Sequence, residues 1–171
     1  TFLSKINPAS SGAVGIDTLP GSSTVTLSDN INLTGFTTTA QNGIRLSTAT
    51  SAILTGTITP QGNNYNFGNG GGKLFVQSNL GNVGAATSQL INRSGAIPGT
   101  SLPLSLYLQG ANTYTGGTSS EWAGVTVFDG ANSVPATGSL TAQGDATMIG
   151  TSYLGYSNNV TGLTPANFLA K

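Results

Sequence analysis

The chain of 171 residues has no histidine and no cysteine, and carries five basic and five acidic side chains. Charged residues make up 6% of it, against roughly 25% in an ordinary soluble domain. Without histidine there is no Ser-His-Asp nucleophile system and none of the usual imidazole metal ligands. Without cysteine there is no thiolate chemistry, no Cys/His zinc site and no disulfide framework. The five cations, Lys5, Arg45, Lys73, Arg93 and Lys171, are scattered and make no basic stripe, so nucleic acid is not an expected partner. No apolar run approaches the ~18 residues of a membrane span, so none is expected in this segment. No basic-then-apolar leader opens the chain, which starts at Thr1 and is expected to be one segment of a larger secreted protein.

What is there is small and polar. Glycine, serine, threonine and asparagine make up about half of the residues. The 37% of hydrophobic residues are spread along the whole length, and the net charge is zero, which is not the pattern of a disordered tail. The apolar residues fall in short runs: Ser23–Leu27, Ile31–Leu33, Ile44–Leu46, Ile53–Ile58, Lys73–Val76, Leu90–Ile91, Leu104–Leu108, Val125–Phe128 and Ala146–Ile149. Clusters of Gly, Asn, Ser and Asp separate them, which is turn chemistry. Helical periodicity is confined to the end, where Thr164 as cap and Pro165 at the first position predict a short terminal helix. The expected class is all-β.

Spacing narrows the architecture. Gly110-Ala111-Asn112 returns as Gly130-Ala131-Asn132, each copy following an apolar strand. A period near twenty suits a parallel β-solenoid, in which apolar residues stack inward and asparagines form ladders at corners. At that period the chain would make roughly eight rungs. An antiparallel sandwich, with turns every 8–12 residues, is also compatible with the spacing.

The stretch Leu104–Thr118 is more specific. Gly-Ala-Asn-Thr-Tyr-Thr-Gly-Gly-Thr at 110–118 closely resembles the hallmark of the autotransporter-associated β-strand repeat. Ala123–Val127 and Ala131–Leu140 resemble its following strand and turn, and the likeness covers about 104–150 of a single segment spanning 1–171. The segment Ser119-Ser120-Glu121-Trp122 departs from the pattern, lacking the usual apolar strand residue. The resemblance implies a right-handed parallel β-helix from a bacterial surface or secreted protein, without a catalytic residue or cofactor.

In that setting Gly110, Gly116 and Gly117 suit corners needing positive φ or close backbone approach. Asn112 and Asn132 suit repeated turns, Asn112 in a left-handed conformation. Tyr114 is expected to pack its ring on a corner with its hydroxyl in water, the alternative being a sugar contact. Glu121 and Trp122, the only Glu and the only Trp, form a candidate contact surface for glycan or protein. The alternative is that Trp122 folds over an apolar edge.

Glycosidase chemistry needs two carboxylates about 5–10 Å apart. Asp129 and Asp145 would approach each other if rungs stack, but no cation lies between 94 and 170 to neutralise an acidic sugar. Phe67–Leu74 fails the phosphate-loop pattern at both ends and reads as a turn. Three N-x-S/T sites, at Asn32, Asn92 and Asn159, are no more than this composition generates. The expected function is a non-catalytic structural or adhesive segment at the cell surface. Alternatives are a fibre subunit joining like chains through open solenoid ends, or a carbohydrate-binding or carbohydrate-active module.

Overall fold

The computed structural model describes residues 2–18, 23–37, 43–94, 102–144 and 151–171. Its strands are sorted alternately into two sheets. Sheet A contains β1 (Ala13–Gly15), β4 (Arg45–Ser47), β7 (Asn64–Phe67), β9 (Gln89–Arg93), β11 (Thr118–Glu121) and β13 (Leu140–Gln143), neighbours in that order. Sheet B contains β2 (Val25–Leu27), β5 (Ser51–Leu54), β8 (Lys73–Val76), β10 (Ser105–Leu108), β12 (Val125–Phe128) and β14 (Tyr153–Tyr156). A third, two-stranded sheet pairs β3 (Ile31–Asn32) with β6 (Ile58–Thr59). Among the described residues every ladder between these strands is parallel, which removes the antiparallel sandwich. The short terminal helix is also present, as α1 (Pro165–Leu169), with Thr164 Oγ1 accepting from Asn167 N at 3.2 Å.

Register explains why such polar strands hold. In sheet B alternate side chains point inward and meet their counterparts in the next strand. One inward column runs Val25, Ala52, Leu74, Leu106, Thr126, Leu154, and the second runs Leu27, Leu54, Val76, Leu108, Phe128, Tyr156. Leu54, Leu74, Leu106 and Leu108 are fully buried, each worth roughly 1.5–3 kcal/mol of burial. A slip of one residue would turn every member of a column into solvent. Sheet A closes the other side with Leu46, Phe67 and Leu90.

The spacing between stacked strands is not constant. It is twenty residues from Ser105 to Val125, but thirty-two from Lys73 to Ser105 and twenty-eight from Val125 to Tyr153. The expectation of eight rungs at a period of twenty is therefore corrected, among the described residues, to six strands in each of the two main sheets. The excess residues leave at corners, where loops vary in length without disturbing the columns. Ile53–Ile58, expected as one strand, is β5 and β6 with Gly56 at the corner between them. The expected strand at Ala146–Ile149 lies outside the described residues.

The two ends of the core are partly covered. Leu3, which opens a 3-10 turn at Leu3–Lys5, and Ile6, which follows it, pack against one end. At the other, the Phe168 ring meets Tyr156 at 4.9 Å and Phe128 at 6.2 Å between centroids. The outer edges of β1 and β2, and of β13 and β14, have no ladder partner among the described residues.

Candidate functional site

The repeat-like residues meet around one corner. Gly56, Gly110 and Gly130 each follow a sheet B strand by two residues, and a Cβ on them would strike the backbone carbonyls of Asp29, Ser78 and Gln109 in the preceding tier. This close approach, not positive φ, is what Gly110 serves. Gly116 is similar, facing the Ser88 carbonyl at 2.7 Å, whereas Gly117 combines a φ of 92° with a close approach to Ser139.

Asn112 is buried and right-handed or extended, not left-handed as expected. It ties three tiers together: its Nδ2 donates to Ser133 O at 2.7 Å, its N to Asn132 O at 3.1 Å, and its Oδ1 accepts from Leu80 N at 3.2 Å. Asn132 contributes a backbone carbonyl rather than a side-chain ladder. Asn30 and Asn79 do related work, accepting from Thr57 N and Ala111 N at 3.0 and 2.8 Å.

Tyr114 is 0% exposed, and its hydroxyl bonds Thr118 Oγ1. Burial pushes its phenol well above the usual range, with the Thr118 bond opposing and Tyr65 adding to the rise. The expectation of a hydroxyl in water, and with it the sugar contact, is corrected. The ring fills the core beside Tyr65, 6.3 Å away.

The departure from the repeat at 119–122 has its counterpart in β9. Glu121 sits in register with Arg93, twenty-eight residues earlier, and accepts from its Nε at 2.7 Å. The pair is buried, Arg93 being 5% and Glu121 7% exposed. Ser119 Oγ donates to Glu121 Oε1 at 2.8 Å, and the Trp122 ring lies over the guanidinium at 4.2 Å. Trp122 therefore folds back, but onto a cation rather than an apolar edge, and Glu121 offers no free carboxylate to a partner. Trp122 and Ala123 take φ of 49° and 69°, left-handed values that cost non-glycine residues roughly 1–2 kcal/mol each. Arg45 is close by: burial lowers its guanidinium pKa, Arg93 lowers it further, and Glu121 opposes.

Inside the same tier the core turns polar. Asn92 Nδ2 donates to Val125 O and Thr126 Oγ1 at 2.9 and 3.1 Å, Thr126 Oγ1 to Ser120 Oγ at 3.2 Å, and Ser120 Oγ to Gly124 O at 2.7 Å. These partners are what allow Ser120 to occupy the place of the missing apolar residue. Gly124 and Thr126 are only four and six residues from Ser120, whereas Asn92, which completes the network, lies a tier away. Asn92 is fully buried, so its N-x-S/T pattern sits in the core.

Of the acids, Asp129 receives Gln109 Nε2 at 2.8 Å, Ser157 Oγ at 2.5 Å and Asn159 Nδ2 at 2.9 Å. Burial alone would raise its carboxyl, but the bonds from Ser157, Gln109 and Asn159 outweigh it and hold the pKa low. Asp17 Oδ1 likewise accepts from Thr48 Oγ1 and Ala49 N. Asp145, its expected companion for Asp129, lies outside the described residues. Within Phe67–Leu74, Phe67 ends β7 and Lys73 and Leu74 open β8, and the turn between them has positive φ at Gly68, Asn69, Gly70 and Gly71. No protein-family model, curated protein or solved structure matches the chain.

Proposed function

We propose that the chain is a stretch of right-handed parallel β-solenoid with a structural, non-catalytic role, a stiff segment displayed at a bacterial surface. The observation that supports the architecture is the recurring order of sheet A then sheet B along the described chain, interrupted by β3 and β6 of the third sheet, with continuous inward columns. Right-handed passage between parallel strands is the rule for such connections. The surface location rests on the resemblance of 104–150 to autotransporter-associated repeats. The acids described above are committed to internal hydrogen bonds, which suits a scaffold. An antibody against the chain should label intact cells of the source organism; label only after permeabilisation would refute surface display.

A fibre-forming role is the second reading. It is favoured by outer edges of β1, β2, β13 and β14 that have no ladder partner among the described residues, and by a charge too low to repel like chains. Electron microscopy of concentrated protein showing end-to-end filaments is the expected result, and uniformly single particles would remove it.

A further inference from the structure

Sheet B turns one face outward, and that face is organised in columns along the stacking direction. The central column holds Ile53, Phe75, Tyr107 and Val127 in direct register. One flank carries Ser51, Lys73 and Ser105, and then Val125 and Tyr153. The other carries a polar ladder: Gln77 Nε2 donates to Gln109 Oε1 at 3.1 Å, and Gln109 Nε2 to Asp129 Oδ2 at 2.8 Å. In the last tier the central position is Gly155, opposite Val127. Tyr153 folds back along its own strand, so that its Oη, Cε1 and Cζ stand 2.5–2.8 Å from where a Cβ at Gly155 would be. Gly155 is buried beneath the ring, while Tyr153 is 54% exposed. The ring is thus a platform held on glycine, not a member of the core.

We propose that this face, with Tyr153 as its anchor, binds a neutral linear oligosaccharide lying along the central column. A sugar ring combines an apolar C–H face with a rim of hydroxyls, and an apolar column between hydroxyl and amide flanks presents the same two chemistries. The two charges on the face, Lys73 and Asp129, are of opposite sign, so nothing there selects a polyanion.

Size decides between a glycan and a second protein. Five tiers at about 4.8 Å per strand make an apolar strip about 19 Å long and one side chain wide, broadened only where Val125 flanks Val127. That is on the order of 200 Å², well short of the roughly 800 Å² per partner of a stable protein interface. A few sugar units fit it. Phe75 and Tyr107 stack on each other at 4.8 Å with planes 20° apart and so spend their ring faces internally. The face left free is that of Tyr153.

The test is calorimetric titration with neutral hexasaccharides, namely cellohexaose, xylohexaose and laminarihexaose, beside anionic tetragalacturonate. Saturable binding of at least one neutral probe is expected, weakened about tenfold by Tyr153→Ala and retained by Tyr153→Phe. Gly155→Ser, which lifts the ring, should weaken it as well, with an unchanged far-ultraviolet spectrum confirming that the variants fold. No saturation by any neutral probe, binding that survives Tyr153→Ala, or tetragalacturonate binding as tightly would each overturn the proposal.

Discussion

Replacing Glu121 with Gln tests the buried pair that stands where the repeat pattern breaks. The substitution keeps size and shape but removes the charge facing Arg93, whose guanidinium is 5% exposed and has Arg45 nearby. Breaking a buried ion pair by neutralising one partner costs about 3–5 kcal/mol, because the remaining charge keeps its desolvation penalty. Two factors move the figure in opposite directions. The Trp122 ring over Arg93 still attracts the cation, worth roughly 0.5–2 kcal/mol. Repulsion between Arg93 and Arg45, which Glu121 offsets, is then unscreened.

A net loss of about 3 kcal/mol is expected, read as a lower denaturation midpoint in urea with unchanged slope. At about 2–4 °C per kcal/mol for a chain of this size, the melting temperature should fall by roughly 6–12 °C. The double variant Arg93→Met/Glu121→Leu should recover most of the loss, since an apolar pair of similar volume replaces a buried ion pair at little cost. A loss below about 1 kcal/mol for Glu121→Gln would place the pair in the class of solvent-exposed bridges and refute the reasoning.

Further outcomes follow from the same geometry. Gly110→Ala should cost about 1–3 kcal/mol in chemical denaturation, because its Cβ meets the Ser78 carbonyl, which cannot move without shifting the tier. Ala123→Gly should be neutral to stabilising by up to about 1 kcal/mol, since glycine relieves a φ of 69°. Tyr114 has its phenol pKa raised on folding, so its contribution is complete below the unfolded value near 10 and is lost as pH rises above it. Tyrosinate absorbance should therefore show Tyr114 ionising only together with alkaline unfolding, and Tyr114→Phe should remove that step. Asp129 has its pKa lowered on folding, so its contribution is present above the unfolded value and fades as pH falls through the folded one. An Asp129→Asn variant should accordingly lose the acid-side dependence.

Strands with an apolar inward pair were legible in the sequence: Lys73–Val76 and Val125–Phe128 coincide with β8 and β12. Among the strands that were not, β7 and β14 do carry apolar inward pairs, Tyr65 with Phe67 and Leu154 with Tyr156, but asparagine and glycine around them read as turn chemistry. Thr118–Glu121 turns the polar Thr118 and Ser120 inward, so no apolar alternation marks it. The Thr164–Pro165 helix start was readable because capping is local, within three residues. The variable tier length was not, since corner loops absorb insertions without leaving a periodic trace.

At the candidate site, glycine at 110, 116 and 117 pointed to crowded corners, whereas nothing in the sequence marked the left-handed backbone at Trp122. Its partner Arg93 was invisible because the register that brings it to Glu121 spans twenty-eight residues. Tyr114 was misplaced for a related reason. A tyrosine within a glycine-rich turn looks exposed until Thr118, four residues on, is seen to turn inward and satisfy its hydroxyl.

The stacked parallel register is the claim on which everything else depends, and the absence of cysteine permits a clean test. Ile53 and Val127 lie seventy-four residues apart in sequence but three strand steps apart in one outward column. With about 4.8 Å per step, their backbones stand about 14 Å apart. Spin labels on an Ile53→Cys/Val127→Cys variant, read by pulsed dipolar spectroscopy, should give one narrow distribution within label reach of that separation. A mean beyond about 30 Å, or a broad distribution without a dominant short distance, would contradict the stacked fold.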